Sequence, residues 1–323
     1  MVGPSVAFGR RATPPASTAP ARPALRRPRP RRGLIGGEAV AGWLFVLPAT
    51  AGFATFFLWP IVRVLQVSLT DWNLLRRPRF VGLQNYLHAL SGDPQFWHSL
   101  QVTALYVLYN IPIQTVLGFL VAVLMDRVAR AVSVRALVIA PYLISNVVAG
   151  LVWLWMLDPL LGTVNALLRA LALPAGSFLS SPDQALASVA AINIWRHTGF
   201  TALLFYAGLQ SIPRSLYEAA ALDGAGEIRL LWHLTLPLVR PVMGFVLVTS
   251  VIGSFQIFDT IAVATDGGPA NSTRAIVYYI YENAFRFMKM GYASALSVLL
   301  FLGLAAVSLV QMRVLRAGSS DLA

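Results

Sequence analysis

Residues 212–225 read Ile212-Pro-Arg-Ser-Leu-Tyr-Glu218-Ala219-Ala220-Ala221-Leu222-Asp223-Gly224-Ala225, and residues 236–241 close the same segment with Leu236-Pro237-Leu238-Val239-Arg240-Pro241. Pro213 followed by Ser215 is a helix-start signal, and Glu218 three residues beyond Ser215 predicts a capping box. The helix should end near Asp223-Gly224, because glycine accepts the left-handed backbone of a helix terminus. The alanines at 219–221 keep one helix side slim. A second amphipathic turn from Glu227 to Leu234 gathers Leu230, Leu231 and Leu234 until Pro237 and Pro241 stop it. Tethered at both ends to apolar segments, such a helix–turn–helix transmits motion as a flexible loop cannot. On pattern alone it reads equally as an interfacial helix lying on lipid.

The flanks of this segment are membrane-like. Of 323 residues 57% are hydrophobic and 12% charged, about half the charged share of roughly 25% found in soluble domains. About 20 apolar residues cross a bilayer, and six stretches qualify: 39–61, 100–125, 136–157, 184–209, 242–265 and 292–312. Lipid offers the backbone no water, so each should be a helix, with Pro48, Pro112 and Pro141 accommodated as kinks. The first stretch is too long for the apolar region of a cleaved signal peptide and reads as a retained anchor. The loop at 211–241 lies between the fourth and fifth spans.

The formal charge is +12, and residues 1–33 supply eight arginines and no acid. This Pro-, Ala- and Ser-rich arm, residues 1–36, cannot bury a core and is expected to be disordered. Its charge suits anionic lipid or nucleic acid, but the simpler reading is a solvated topological anchor, with no nucleic-acid partner expected. Putting the N-terminus in the cytoplasm leaves sixteen of the 25 Lys and Arg on that side and eight opposite, as positive-inside retention requires. Both termini then lie in the cytoplasm, including a short tail at 318–323, and so does the loop at 211–241. The Arg76-Arg77-Pro78-Arg79 cluster opposes the rule, within a long loop where the bias is weak.

Several chemistries are excluded. The absence of cysteine removes disulfides, thiolate metal sites and cysteine nucleophiles. The sole lysine, Lys289, lies in Phe287-Met288-Lys289-Met290-Gly291, so no phosphate-binding Gly-Lys-Ser/Thr loop exists. His88, His98, His197 and His233 lack metal-ligand spacing, and no nucleophile elbow occurs. No catalytic residue and no metal site is expected.

Glu218-Ala-Ala-x-x-Asp-Gly224-Ala, followed by Leu236-Pro237 and Pro241, resembles the EAA motif of permease subunits in binding-protein-dependent ATP-binding-cassette importers. Other stretches resemble the carbohydrate-uptake branch: Phe80-Val81-Gly82-Leu83-Gln84-Asn85-Tyr86, Trp195-Arg-His-Thr-Gly199-Phe200, Thr265-Asp-Gly267-Gly268-Pro269, Tyr281-Glu-Asn-Ala-Phe285 and Gly291-Tyr-Ala-Ser-Ala-Leu. The resemblance covers about residues 40–315. It implies an all-α integral membrane protein of six transmembrane helices, the type I ABC importer permease (MetI-like) fold, over 37–317 in a prokaryotic plasma or inner membrane. It further implies alternating access driven by two cytoplasmic ATPase subunits that hold ATP and magnesium, so this chain carries no cofactor. An extracytoplasmic solute-binding protein and a similar permease, more in keeping with a heterodimer, complete the assembly, and the solute is a sugar or sugar-like molecule. Carried over by position, Glu218, Ala219, Ala220, Asp223, Gly224, Ala225, Leu236 and Pro237 form the coupling element. The Asp266-Gly267-Gly268-Pro269 turn is either a surface for the binding protein or a plain glycine turn.

Ionisable groups inside spans are costly and therefore candidates for the solute pathway. Arg196 and Asp259 are the two. Asn193, Arg196 and His197 share a helical face, and Gln256 lies three residues before Asp259. Asn193, Arg196, Gln256 and Asp259 are thus the expected pathway residues, with Trp195, Phe200, Phe255 and Phe258 as aromatic faces. The alternative for Arg196 is a structural pair with Asp259. The alternative function is an ion-coupled secondary transporter, which needs broken helices, repeat symmetry and acidic coupling sites.

Overall fold

The computed structural model describes residues 35–127 and 132–316. The arm expected before residue 35 and the tail at 318–323 lie outside the described residues. The chain divides into two units between Phe57 and Leu58. The first contains α1 (Ile35–Phe53), with Pro48 inside it. Its residues 40–57 are almost all apolar, and a helix apolar all round is suited to lipid.

The second unit begins with α2 (Trp59–Ser68), followed by β1 (Thr70–Asp71) and β2 (Arg79–Phe80). These pair antiparallel with Thr70 opposite Phe80, a small departure from the all-α expectation. The Phe80–Tyr86 stretch is a brace. Asn85 on α3 (Gln84–Leu87) donates to the Ser68 and Thr70 carbonyls at 2.8 and 2.9 Å, and the Tyr86 and Ser68 hydroxyls meet at 2.6 Å. Then come α4 (Pro94–Arg127), α5 (Val132–Leu143), α6 (Asn146–Met156), α7 (Thr163–Ala170) and α8 (Pro182–Gln210). The segment between the long helices contributes α9 (Arg214–Leu222), α10 (Glu227–Leu230) and α11 (Leu236–Leu238). Last are α12 (Arg240–Phe255), α13 (Asp259–Ala264), α14 (Ile276–Tyr281) and α15 (Met290–Arg316).

Four helices among the described residues are long and apolar enough to cross a membrane: Val40–Ser68, Pro94–Arg127, Arg240–Ala264 and Met290–Val314. Two of the six expected spans are not single apolar helices of this kind. The third, 136–157, is the pair α5 and α6, bent by 90° at a break; α5 carries Pro141 inside its last turn and ends at Leu143, and Ser145, out of helical geometry at ψ 144°, opens α6. The fourth, 184–209, is the 29-residue α8. It is long enough, but Asn193, Arg196, His197, Thr198 and Thr201 lower its apolar content, because its neighbours are protein helices and not only lipid.

The principal helix pair is α4 against α8. Along both helices the core alternates. Tyr106 of α4 with Val189 and Ile192 of α8 belongs to one apolar cluster, and Ala122 with Phe205 and Leu209 to another. Asn110, Gln114, Asn193 and Thr201 form the polar layer between them, and it is there that the interior opens.

Candidate functional site

In this polar layer the amide of Asn110 donates to Ser254 Oγ of α12 at 2.9 Å and to Gln114 Oε1 at 3.2 Å. Gln114 Nε2 donates to Thr201 Oγ1 at 2.9 Å, and Asn193 Nδ2 to Asn110 Oδ1 at 2.9 Å. Three helices are stitched together by groups that would be unsatisfied in hydrocarbon, which is how polar residues join helices in a bilayer. Beside the layer is a cavity of about 250 Å³, walled by residues of α4, α5, α6, α8, α12 and α13. Asn193, Gln256 and Asp259, three of the four expected pathway residues, line it.

Arg196 is not among the lining residues. Its Nε donates to the Ile144 carbonyl at 2.8 Å and its Nη2 to the Tyr142 carbonyl at 3.1 Å, while the guanidinium lies 5.3 Å from the Tyr142 ring centre. The break between α5 and α6 frees these carbonyls from helical partners, and the fork of a guanidinium can satisfy two at once. Arg196 forms no ion pair with Asp259, whose Oδ2 instead accepts from Asn146 Nδ2 at 2.8 Å. The expected three-residue face therefore splits. Asn193 and His197 turn to the cavity and Arg196 turns to the break.

The sequence reading did not assign Asn110, Gln114, Asn146, Thr201 and Ser254 to this site. The available signal was the amide pair at i and i+4 in a span without charge, since an uncharged amide in hydrocarbon also demands a partner. Tyr142 stacks on Phe200 with ring centres 4.6 Å apart, and both rings reach the cavity wall with Phe258. Trp195 packs edge-on to Trp153 and does not line it.

A second site is the elbow between α8 and α12. The N-terminus of α9 follows Pro213 without a side-chain cap bond, so the capping box expected of Ser215 and Glu218 is not formed. Its C-terminus matches expectation. Ala225 N–H donates to the Ala220 carbonyl at 3.0 Å, Gly224 N–H donates to the Ala221 carbonyl at 3.0 Å, and Gly224 has φ +77°, a Schellman ending. Pro237 and Pro241 do not stop the chain's helical course. They occupy the first turns of α11 and α12, where the missing N–H costs nothing. A π turn at Leu231–Thr235 links α10 to α11.

The elbow is fixed on one side and bare on the other. Tyr217, Leu238 and Val239 pack with Phe205, Leu209 and Val246, and Arg127 at the end of α4 pairs with Glu227 at 2.6 Å. Leu230, Leu231 and Leu234 are half-buried together. Glu218, Ala219, Asp223 and Gly224 are exposed, Ala220, Ala225, Leu236 and Pro237 half-buried. Leu222, Ile228 and Trp232 are 90, 76 and 62% exposed. A Cβ on Gly224 would meet no atom within 4 Å.

Between α13 and α14, Asp266 accepts from the Tyr278 hydroxyl at 2.6 Å and pairs with Arg286, while Arg274 pairs with Glu282 at 2.9 Å. The Arg286 and Tyr278 hydrogen bonds hold the Asp266 carboxyl below the usual carboxylate range. The turn at Gly267-Gly268-Pro269 is therefore anchored by charge at its first residue, and Gly267 has φ +78°.

A family model described as the binding-protein-dependent transport system inner membrane component matches residues 103–318. The chain is 34% identical over 292 residues to the sulfoquinovosyl glycerol transport system permease protein of Agrobacterium fabrum, covering 90% of this chain and 94% of that protein. It is 32% identical to the trehalose/maltose transport system permease protein of Thermococcus litoralis, covering 86 and 94%. It is 34% identical to the sn-glycerol-3-phosphate transport system permease protein of Agrobacterium fabrum, covering 87 and 97%. Among solved structures, a bacterial ABC transporter involved in the import of alginate matches its fold with a TM-score of 0.75 at 22% identity, covering 88% of this chain and 98% of that one.

Proposed function

The chain belongs to the family of binding-protein-dependent transport system inner membrane components, and from that premise we propose that it carries a sugar or sugar-like solute through its interior while separate ATPase subunits supply the work. It is a multi-pass inner-membrane permease subunit of an ATP-binding-cassette importer and not a catalytic enzyme. A solute-binding protein delivers the cargo on the opposite side from the ATPases. A similar permease is its membrane partner, as a heterodimer within surrounding lipid, and α8 with the bent α5–α6 pair completes six crossings with both termini cytoplasmic.

The observation that carries this reading is the elbow's two-sidedness. Apolar side chains as large as Leu222 and Trp232 are left uncovered on a segment whose other side is packed onto α8 and α12. Exposed apolar groups on a rigid mount suit a protein partner. Glu218, Ala219, Ala220, Asp223, Gly224 and Ala225 form the surface offered to the ATPase, and Leu236 and Pro237 pass its displacement to α12. Because α8 and α12 also wall the cavity, a shift at the elbow moves both sides of the solute's path. Preferential binding of the elbow to one ATPase state then shifts the permease between outward- and inward-facing forms. Asn193, Gln256 and Asp259 are the solute-facing groups.

The test is substitution on the bare side. Ala219→Trp introduces bulk on an exposed helical face without backbone strain. It should abolish ATPase co-purification and ATP-dependent uptake while leaving the permease folded. Retention of both activities would remove the elbow from the coupling pathway.

A further inference from the structure

We infer that the solute is an uncharged polyhydroxyl compound, a neutral sugar or glycoside, and that Asp259 selects it by accepting hydrogen bonds from its hydroxyls and repelling anions. This rests on the importer reading and adds the charge class of the cargo. Among the described residues no Arg or Lys lines the cavity, and Asp259 is the one charged residue that does. The nearest cation by sequence, Arg196, has its Nε and Nη2 engaged by the carbonyls of Ile144 and Tyr142.

His197 does not supply positive charge either. Arg196 Nη1 lies 3.1 Å from His197 Nε2, and His197 Nδ1 lies 3.1 Å from the Asn193 carbonyl. A guanidinium only donates and a carbonyl only accepts, so Nε2 is the bare nitrogen and Nδ1 carries the proton. The imidazole is neutral. Asp259 Oδ2 is held by Asn146, while Oδ1 receives no protein hydrogen bond among the described residues and is left to accept from the solute. Gln256 adds an amide able to donate and accept, and Tyr142, Phe200 and Phe258 add aromatic faces for the C–H side of a sugar ring. A phosphate, sulfonate or uronate would meet a carboxylate there and, among the described residues, no counter-cation in the wall.

The assembled transporter tests this. Its binding protein is screened by thermal shift against a library of neutral sugars and polyols and of sugar phosphates, sulfonates and uronates, and uptake of the strongest hit into proteoliposomes is measured. A neutral hit is expected, with Asp259→Asn lowering its uptake roughly ten- to hundredfold, the loss typical of a charged acceptor. Asp259→Glu should restore part of it, and ATPase assembly should be unchanged in both. An anionic hit that is accumulated, or Asp259→Asn with unaltered uptake, would overturn the inference and leave the importer reading intact. If the wild-type complex accumulates no compound of either class with ATP, the importer reading itself fails.

Discussion

Gly199 lies where α8 crosses α5, and a Cβ there would stand 2.0 Å from the Val138 carbonyl oxygen. Alanine is favoured over glycine in a helix by about 1 kcal/mol, but a clash with backbone cannot be relieved by rotating a side chain, and overpacking costs about 1–3 kcal/mol. Gly199→Ala should therefore lower the thermal midpoint of the purified protein, and a raised midpoint would show that α5 has room to move away. Arg196 supplies a second case. Arg196→Ala leaves the Tyr142 and Ile144 carbonyls without their donor, at about 1–3 kcal/mol each, so it should lower thermal stability as well as transport. Arg196→Lys should recover little, since a single ammonium cannot span both carbonyls in the guanidinium's plane. The sequence marks Arg196 as a charged residue within a largely apolar stretch. Its task was not legible, because the carbonyls it serves are more than fifty residues away and are freed only by the α5–α6 break.

Individual elements carry their own consequences. Asp93 joins the start of α4 to α14 and α15, accepting from the Gln95 N–H at 2.9 Å, from Tyr279 at 2.6 Å and from the Tyr292 hydroxyl. Burial pushes its carboxyl up, but these hydrogen bonds outweigh burial and hold it below the usual value. A carboxyl depressed in the folded state adds stability that is fully present above its unfolded value near 3.9 and is lost as pH falls through the folded value. The thermal midpoint of wild type should thus exceed that of Asp93→Asn at pH 6, with the gap closing below about pH 4. A gap independent of pH would mean that the hydrogen bonds do not require the charged form. At the elbow, the helix end at Asp223-Gly224 was legible from glycine alone. The prolines were misread as stops because a proline that breaks one helix is equally suited to opening the next, and only neighbouring backbone geometry distinguishes these roles. Gly224→Val tests the ending by itself. With no atom within 4 Å of its Cβ position, its cost should be confined to the left-handed backbone, about 1–2 kcal/mol, seen as a modest loss of permease stability.

At the scale of the molecule, the cysteine-free sequence makes the proposed orientation directly measurable. Single cysteines at the exposed positions Ala221, on α9, and Ser180, before α8, should label from opposite sides of the membrane. Ala221→Cys should react in inverted vesicles and Ser180→Cys in intact spheroplasts, and labelling of both from one side would refute the assigned topology. Composition and span length were enough to indicate a multi-pass helical membrane protein, because water's exclusion from lipid imposes helices on any apolar stretch of sufficient length, and the permease reading came from the resemblance of the segment at 212–241 to a known motif. The elbow's residue types likewise follow from local chemistry, since a helix end and a slim alanine face need only near neighbours. The cavity did not follow. Which amides meet across α4, α8 and α12, which face of α8 holds Asn193 and His197 and which sends Arg196 to the α5–α6 break depend on contacts between residues far apart in the chain. Packing alone decides them, for a hydrogen bond acts over about 3 Å and sequence spacing carries no distance once the chain has turned.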